Sequence, residues 1–134
     1  EGGILDHEHG RIINIASTAG KQGIPLSAPY NASKHAVVGI TRSLALEYAK
    51  RNVTVNAVCP GYVQTPMADT VIRRNAEISD RTVEEIRKEF EKKIPIGRYS
   101  TPAEVASLVN YLTSPEAAAI TGQALNVCGG LGRF

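Results

Sequence analysis

The sequence predicts an α/β fold, a doubly wound parallel sheet of about three strands with flanking helices. Three observations carry this. Arg11–Ala16, Val53–Cys59 and Gln123–Cys128 are short apolar runs, of the length and composition of strands buried on both faces of a parallel sheet. A stretch of helical periodicity from about Pro29 to Lys50 lies between the first two, and strand, long helix and strand make a βαβ unit with a right-handed crossover. No repeat or linker interrupts residues 1–134, so the chain reads as one unit.

After the first strand, Ser17-Thr18-Ala19-Gly20-Lys21-Gln22-Gly23 is small and polar, a loop at the carboxyl end of a strand, where open α/β sheets place their ligands. Pro29 suits the first turn of the long helix, with Ser27 or Ala28 as its cap. Val37, Ile40, Leu44 and Tyr48 form one apolar stripe. Lys50 and Arg51 carry charge that favours a helix C-terminus, and Asn52 suits the left-handed position that ends it. Pro60-Gly61 stops the second strand. From Asp69 to Lys93 the chain carries half of its charged residues. Val83, Ile86, Phe90 and Ile94 still mark an apolar face there, so the second part of this stretch is an amphipathic helix, with Glu84–Lys88 and Glu89–Lys93 as i,i+4 pairs. Thr101-Pro102-Ala103-Glu104 is a capping box with proline at the first helical position, opening a helix that runs to about Thr113.

Fifteen basic and thirteen acidic residues leave a net charge of +2, too small to single out nucleic acid or a membrane surface as partner. With no apolar span of membrane length and no signal peptide visible, the expected location is cytoplasmic. Cys59 and Cys128 end apolar runs without metal-ligand spacing and read as buried free thiols. His7, His9 and His35 have no spacing that suggests a metal, and are expected at the surface or in packing.

Chemistry centres on Tyr30 and Lys34, four residues apart near the start of the long helix and therefore on one face, a turn apart. A free tyrosine has a pKa of about 10; an ammonium beside it favours the phenolate and draws that value toward neutrality. A Tyr-x-x-x-Lys spacing is common on solvated helix faces. Its context singles this one out: a strand running into Ser17 precedes it, and a strand ending at Pro60-Gly61 follows. Ser17 is placed to hydrogen-bond a substrate carbonyl.

Asn14-Ile15-Ala16-Ser17, then Tyr30-x-x-x-Lys34, then Asn56-Ala57-Val58-Cys59-Pro60-Gly61-Tyr62-Val63-Gln64-Thr65 resemble the short-chain dehydrogenase/reductase family, in order and in spacing, over essentially the whole chain. The resemblance implies ketone reduction with Tyr30 as the acid that protonates the carbonyl oxygen. It implies that Lys34 lowers the tyrosine pKa and hydrogen-bonds the nicotinamide ribose, and that Ser17 orients the carbonyl and stabilises developing negative charge. Pro60, Gly61, Val63 and Thr65 would line the nicotinamide, Thr65 near its carboxamide. Within the family, residues 16–23, 57–61, 95–99 and 124–132 are similar to the ketoreductases of aromatic polyketide biosynthesis. That implies NADPH as cofactor and a poly-β-keto chain on an acyl carrier protein as substrate. Fatty-acid β-ketoacyl reductases share much of the pattern, so they stand as the alternative, with other short-chain alcohol dehydrogenases. A non-catalytic binding or assembly unit is the alternative of another class, and the intact set of Ser17, Tyr30 and Lys34 argues against it.

By position, Asp69–Lys93 matches the family's substrate lid. Met67 is expected in the wall of the substrate pocket or, nearly as readily, in the core. Most lid charges read as a solvated helix face, Arg73 and Arg74 being those an acidic carrier protein would meet. Family members are commonly tetramers, and the Tyr30 helix and the Gly-rich C-terminus look like the interface elements. The family's Gly-rich pyrophosphate loop is missing: Gly20-x-x-Gly23 is too short, and Gly129-Gly130-Leu131-Gly132 stands at the chain's end. So are the helix carrying the family's upstream asparagine and the residue that selects NADPH over NADH. The expectation is therefore a C-terminal, catalytic and lid-bearing half of a Rossmann-type domain, unstable and inactive by itself.

Overall fold

The computed structural model describes residues 3–4 and 9–132. Strands β1 (Gly10–Ile15), β2 (Val53–Pro60) and β3 (Ala124–Val127) form a parallel sheet in the order β1-β2-β3. Ile12 stands opposite Val55, and Ala57 opposite Ala124. Helices α1 (Ala28–Tyr48), α2 (Pro66–Ser79), α3 (Val83–Lys92) and α4 (Pro102–Thr113) complete the architecture. Each strand lies within a residue of its expected bounds.

The alternation of β2 sorts the helices onto two faces. Ala57 and Cys59 pack against Val38 of α1, whereas Val58, between them, packs against Leu112 of α4. β2 is buried from Val53 to Cys59. β1 is only half-buried, contrary to expectation, because among the described residues it pairs on one side alone. Asn56 is a fully buried polar residue of this core. Its Nδ2 donates to the Ile120 carbonyl at 2.7 Å and its Oδ1 accepts from the Gln123 N–H at 3.1 Å, which fixes the turn into β3.

α1 meets the sheet through Val38, Thr41 and Ala45, flanked by half-buried Val37, Leu44 and Tyr48. Ile40, expected in the stripe, is 55% exposed: the smaller residues at 41 and 45 allow close helix–sheet approach and turn Ile40 outward. Thr41 is anchored twice, accepting from Asn14 Nδ2 at 2.9 Å and donating to the Val37 carbonyl at 2.8 Å. Ser27 is the cap residue but makes no side-chain cap bond. Asn52 ends the helical segment in the left-handed region with φ 56°, as its side chain allows.

The charged stretch is two helices. Its first half, for which the sequence predicted no element, belongs to α2, which opens at Pro66 with the Thr65 hydroxyl accepting from Ala68 N–H. Asp80, at φ 50°, breaks the run, and a Thr82–Glu85 capping box starts α3. Ile86 and Ile94 are buried and Phe90 half-buried, whereas Val83, in the first turn, is exposed. The pairs Glu84–Lys88 (3.3 Å) and Glu89–Lys93 (3.1 Å) form on the solvent side.

Candidate active site

The carboxyl ends of β1 and β2 set the site. One residue past β1, the Ala16 N–H still donates to the Val58 carbonyl at 2.8 Å. The chain then turns at Ser17, whose side chain caps a short 3-10 turn, Thr18–Gly20, by accepting from the Ala19 N–H at 3.1 Å. Accepting that bond uses a lone pair of the Ser17 hydroxyl and leaves its hydrogen to be donated. Gly20 is required here: a Cβ would lie 2.6 Å from the Lys34 carbonyl oxygen, so only glycine lets this turn rest on the backbone of α1.

Tyr30 lies in the first turn of α1 and is 48% exposed. Lys34, one turn on, holds its Nζ 5.8 Å from the centre of the Tyr30 ring. The same ammonium donates to the Ile15 carbonyl at 3.2 Å, so Lys34 joins Tyr30 to the end of β1, two residues before Ser17.

The segment after β2 supplies the opposite wall. Gly61 N–H donates to the Val127 carbonyl at 3.0 Å, and a Cβ at Gly61 would come within 2.8 Å of Cys128 Cβ. Gln64 N–H donates to the Ser100 carbonyl (2.8 Å) and Ser100 N–H to the Tyr62 carbonyl (2.9 Å), making a parallel bridge between Val63 and Ser100. In such a bridge the flanking residues bond to the partner, so the N–H and C=O of Val63 point the other way. The Thr65 hydroxyl caps α2 and also donates to the Val63 carbonyl at 3.4 Å.

Tyr30, Gly61, Val63, Thr65 and Met67 line one open cavity of about 340 Å³. Ser17, Lys34 and Pro60 are not among its lining residues. Met67 belongs to the wall and not to the core, being 77% exposed. The rest of the wall is largely aromatic and was not legible in advance: Tyr62 stacks on Tyr99 at 5.5 Å and meets Phe90 edge-on at 5.3 Å. Burial, with the Tyr62 phenol beside it, pushes the Tyr99 hydroxyl up to about 12, so Tyr99 is a neutral wall residue at physiological pH.

A larger hollow of about 520 Å³ lies beyond Tyr99, between Gln64, Arg98 and Glu104. It contains no predicted site residue, and its arginines are ion-paired, Arg87 with Asp69 (2.7 Å) and Arg98 with Glu104 (2.6 Å). The smaller cavity is the one that Tyr30, Gly61, Val63, Thr65 and Met67 line. Cys59 and Cys128 are free and buried, and burial pushes the Cys59 thiol up. No cluster of metal-ligating side chains occurs among the described residues. His9 and His35 are exposed, and His7 lies outside the described residues. Lys21 was also not anticipated: its Nζ donates to the Ala124 carbonyl (2.9 Å) and to Asn126 Oδ1 (3.2 Å), strapping the Ser17 turn to β3.

The arrangement offers a phenol at the mouth of an apolar cavity, an ammonium beside it, and a hydroxyl with a hydrogen to donate. Those groups suit proton transfer to an oxygen whose charge develops during reaction.

Residues 3–132 match the family model described as enoyl-(acyl carrier protein) reductase. The chain is 62% identical over 133 residues to the monensin polyketide synthase putative ketoacyl reductase of Streptomyces virginiae, covering 99% of this chain and 51% of that protein. It is 41% identical over 128 residues to the 3-oxoacyl-(acyl-carrier-protein) reductase of Rickettsia felis, covering 96% of this chain and 48% of that one. Among solved structures, a variant of the actinorhodin polyketide ketoreductase with NADPH superposes with a TM-score of 0.93 at 55% identity, over 98% of this chain and 51% of the other. The chain thus spans about half the length of the relatives it matches.

Proposed function

The chain belongs to the short-chain dehydrogenase/reductase family, and from that premise we propose that it carries the catalytic half of an NADPH-dependent ketoreductase acting on a carrier-bound polyketide. The observation that carries the reading is the junction of Tyr30, Lys34 and the end of β1 at the mouth of a cavity with aromatic walls.

The residues fit the nicotinamide end of the cofactor. Val63 N–H points away from Ser100 and has no acceptor among the described residues, so it is available to a carboxamide. Gly61 and Thr65 flank it on the same cavity, Pro60 supports it from the end of β2, and Lys34 is the donor for the ribose. Bound there, NADPH supplies hydride to the carbonyl carbon. Tyr30 gives its hydroxyl proton to the carbonyl oxygen, leaving a phenoxide that the Lys34 ammonium stabilises. Ser17 donates its free hydroxyl hydrogen to the same oxygen and holds the ketone in line. Met67, with the aromatic wall, covers the acyl chain.

Similarity to polyketide ketoreductases at 54–62% identity, against 41% for the fatty-acid reductase of Rickettsia felis, favours the polyketide substrate. The reading includes an acyl carrier protein as partner, a homotetramer and a cytoplasmic location. The test joins the chain to the N-terminal half that its relatives carry and follows NADPH oxidation with trans-1-decalone and with an acetoacetyl thioester. Decalone turnover lost in Tyr30→Phe by about 10²–10⁴-fold, with the fold retained, is the expected result. Turnover of the thioester alone moves the substrate to fatty-acid chemistry; turnover of neither by a folded protein sinks the reading.

A further inference from the structure

We infer that Arg98 and Glu104, which face away from the reaction cavity, are positioning residues for the loop 61–65. The inference rests on the proposed reading of that loop as the wall of the nicotinamide site. Between the end of β2 and the start of α2, backbone–backbone hydrogen bonds tie the loop to other segments at three points: Gly61 N–H to the Val127 carbonyl, and the two bonds to Ser100 that flank Val63. Two of the three therefore depend on where Ser100 is.

Ser100 is held by its own hydroxyl, which donates to the Val127 carbonyl at 3.4 Å, and by the charge cluster at the start of α4. Glu104 accepts from Arg98 Nη1 at 3.0 Å and Nη2 at 2.6 Å, and from the Thr101 N–H at 2.7 Å. Arg98 Nη1 also donates to the Tyr99 carbonyl at 3.0 Å. The carboxylate thus grips the chain on both sides of Ser100, at residue 98 and at residue 101. Tyr99, inside that grip, stacks on Tyr62 of the loop. Fork-on-fork geometry gives the pair direction as well as charge, which a single exposed ion pair lacks. The Arg98 guanidinium and the Thr101 N–H hold the Glu104 carboxyl down to about 2, so the grip is charged throughout the working pH range. A small displacement of Ser100 is passed directly to Val63, and misplacement near a reacting centre is costly in rate.

Two roles of Glu104 are separable by substitution. Glutamine still completes a capping box, so Glu104→Gln keeps the start of α4 while removing the charged fork on Arg98. Thr101→Ala removes the cap and leaves the ion pair. Both variants, with Arg98→Met, are made in the chain joined to the N-terminal half of its relatives. The first readout is amide exchange of the Gln64 N–H, which needs neither cofactor nor turnover. Faster exchange at Gln64 in Glu104→Gln and Arg98→Met, with global stability unchanged, is expected; Thr101→Ala lowers the unfolding temperature and leaves relative exchange at Gln64 alone. The second is NADPH binding by fluorescence and the split of KM from kcat, where about a five- to tenfold rise in the NADPH KM is expected for the fork variants. Unchanged Gln64 exchange in Glu104→Gln overturns the inference. Altered exchange with an unaltered NADPH KM keeps the mechanical link but overturns its place in cofactor positioning. If the protein binds no NADPH, the functional reading fails and the exchange result still decides the link.

Discussion

The hydroxyl of Ser17 is the clearest case of one atom given a direction by its neighbours. The Ala19 N–H bond holds its oxygen while its hydrogen stays available to donate, and the tight packing of Gly20 on the Lys34 carbonyl keeps the turn in place. Ser17→Ala removes that donor and leaves the turn without its cap. In the protein joined to its N-terminal half, a fall in kcat of about 10²–10³-fold is expected, with the NADPH dissociation constant within about twofold of the parent. A kcat within about threefold of the parent removes Ser17 from the mechanism. Tyr30 and Lys34 were legible because i,i+4 spacing is itself a statement of geometry. Tyr62, Phe90 and Tyr99 were not, since nothing local in the sequence brings together residues from the loop, α3 and the segment before α4. Glu104 was legible as a cap and illegible as a clamp, for the same reason: its second partner, Arg98, lies outside the helix pattern.

At the scale of elements, patterns that depend on the chain's own backbone were read correctly and those that depend on a neighbour were not. Asn52 belongs to the first kind. Its φ of 56° closes the α1 segment and delivers the chain into β2, and asparagine tolerates that conformation where alanine does not. Asn52→Ala is expected to cost about 1 kcal/mol of stability and Asn52→Gly much less, measured by urea denaturation of the protein joined to its N-terminal half, with and without each substitution, at equal m-value. Equal losses in the two would mean that side-chain contacts of Asn52, and not its φ, hold the junction. Ile40 is the second kind: the 3.6-residue period allowed it in the apolar stripe, but the depth of contact between α1 and the sheet is set by Thr41 and Ala45. Helix α2 and the break at Asp80 are exceptions to this division: the Thr65 cap with Pro66 and the left-handed Asp80 are local features, and the density of charge around them hid them.

For the whole molecule, the sheet has an unequal pair of sides. β3 is strapped by Lys21 and followed by Gly129 and Gly130, which pack on Ile96 and Pro95. Beside β1 lies instead an apolar hollow of about 220 Å³, lined by Ile4, Ile12, Leu44, Tyr48 and Val53. Unpaired strand edges with apolar surroundings invite association with other chains. We propose that the other half of the domain pairs at β1, which has a physical consequence that requires no assay of activity. Alone, the 134-residue chain is expected to bind an apolar dye such as ANS, to self-associate with rising concentration in sedimentation, and to unfold without a sharp transition. Joined to the N-terminal half of a relative, it is expected to lose most of the dye signal and to unfold cooperatively. Replacing Ile12 by lysine, which puts a charge beside the edge, should reduce association of the isolated chain while destabilising the joined protein, because the same position would then be covered. A monomeric, dye-silent and cooperatively unfolding isolated chain would show that the β1 side is complete as it stands, and the half-domain assignment would fall.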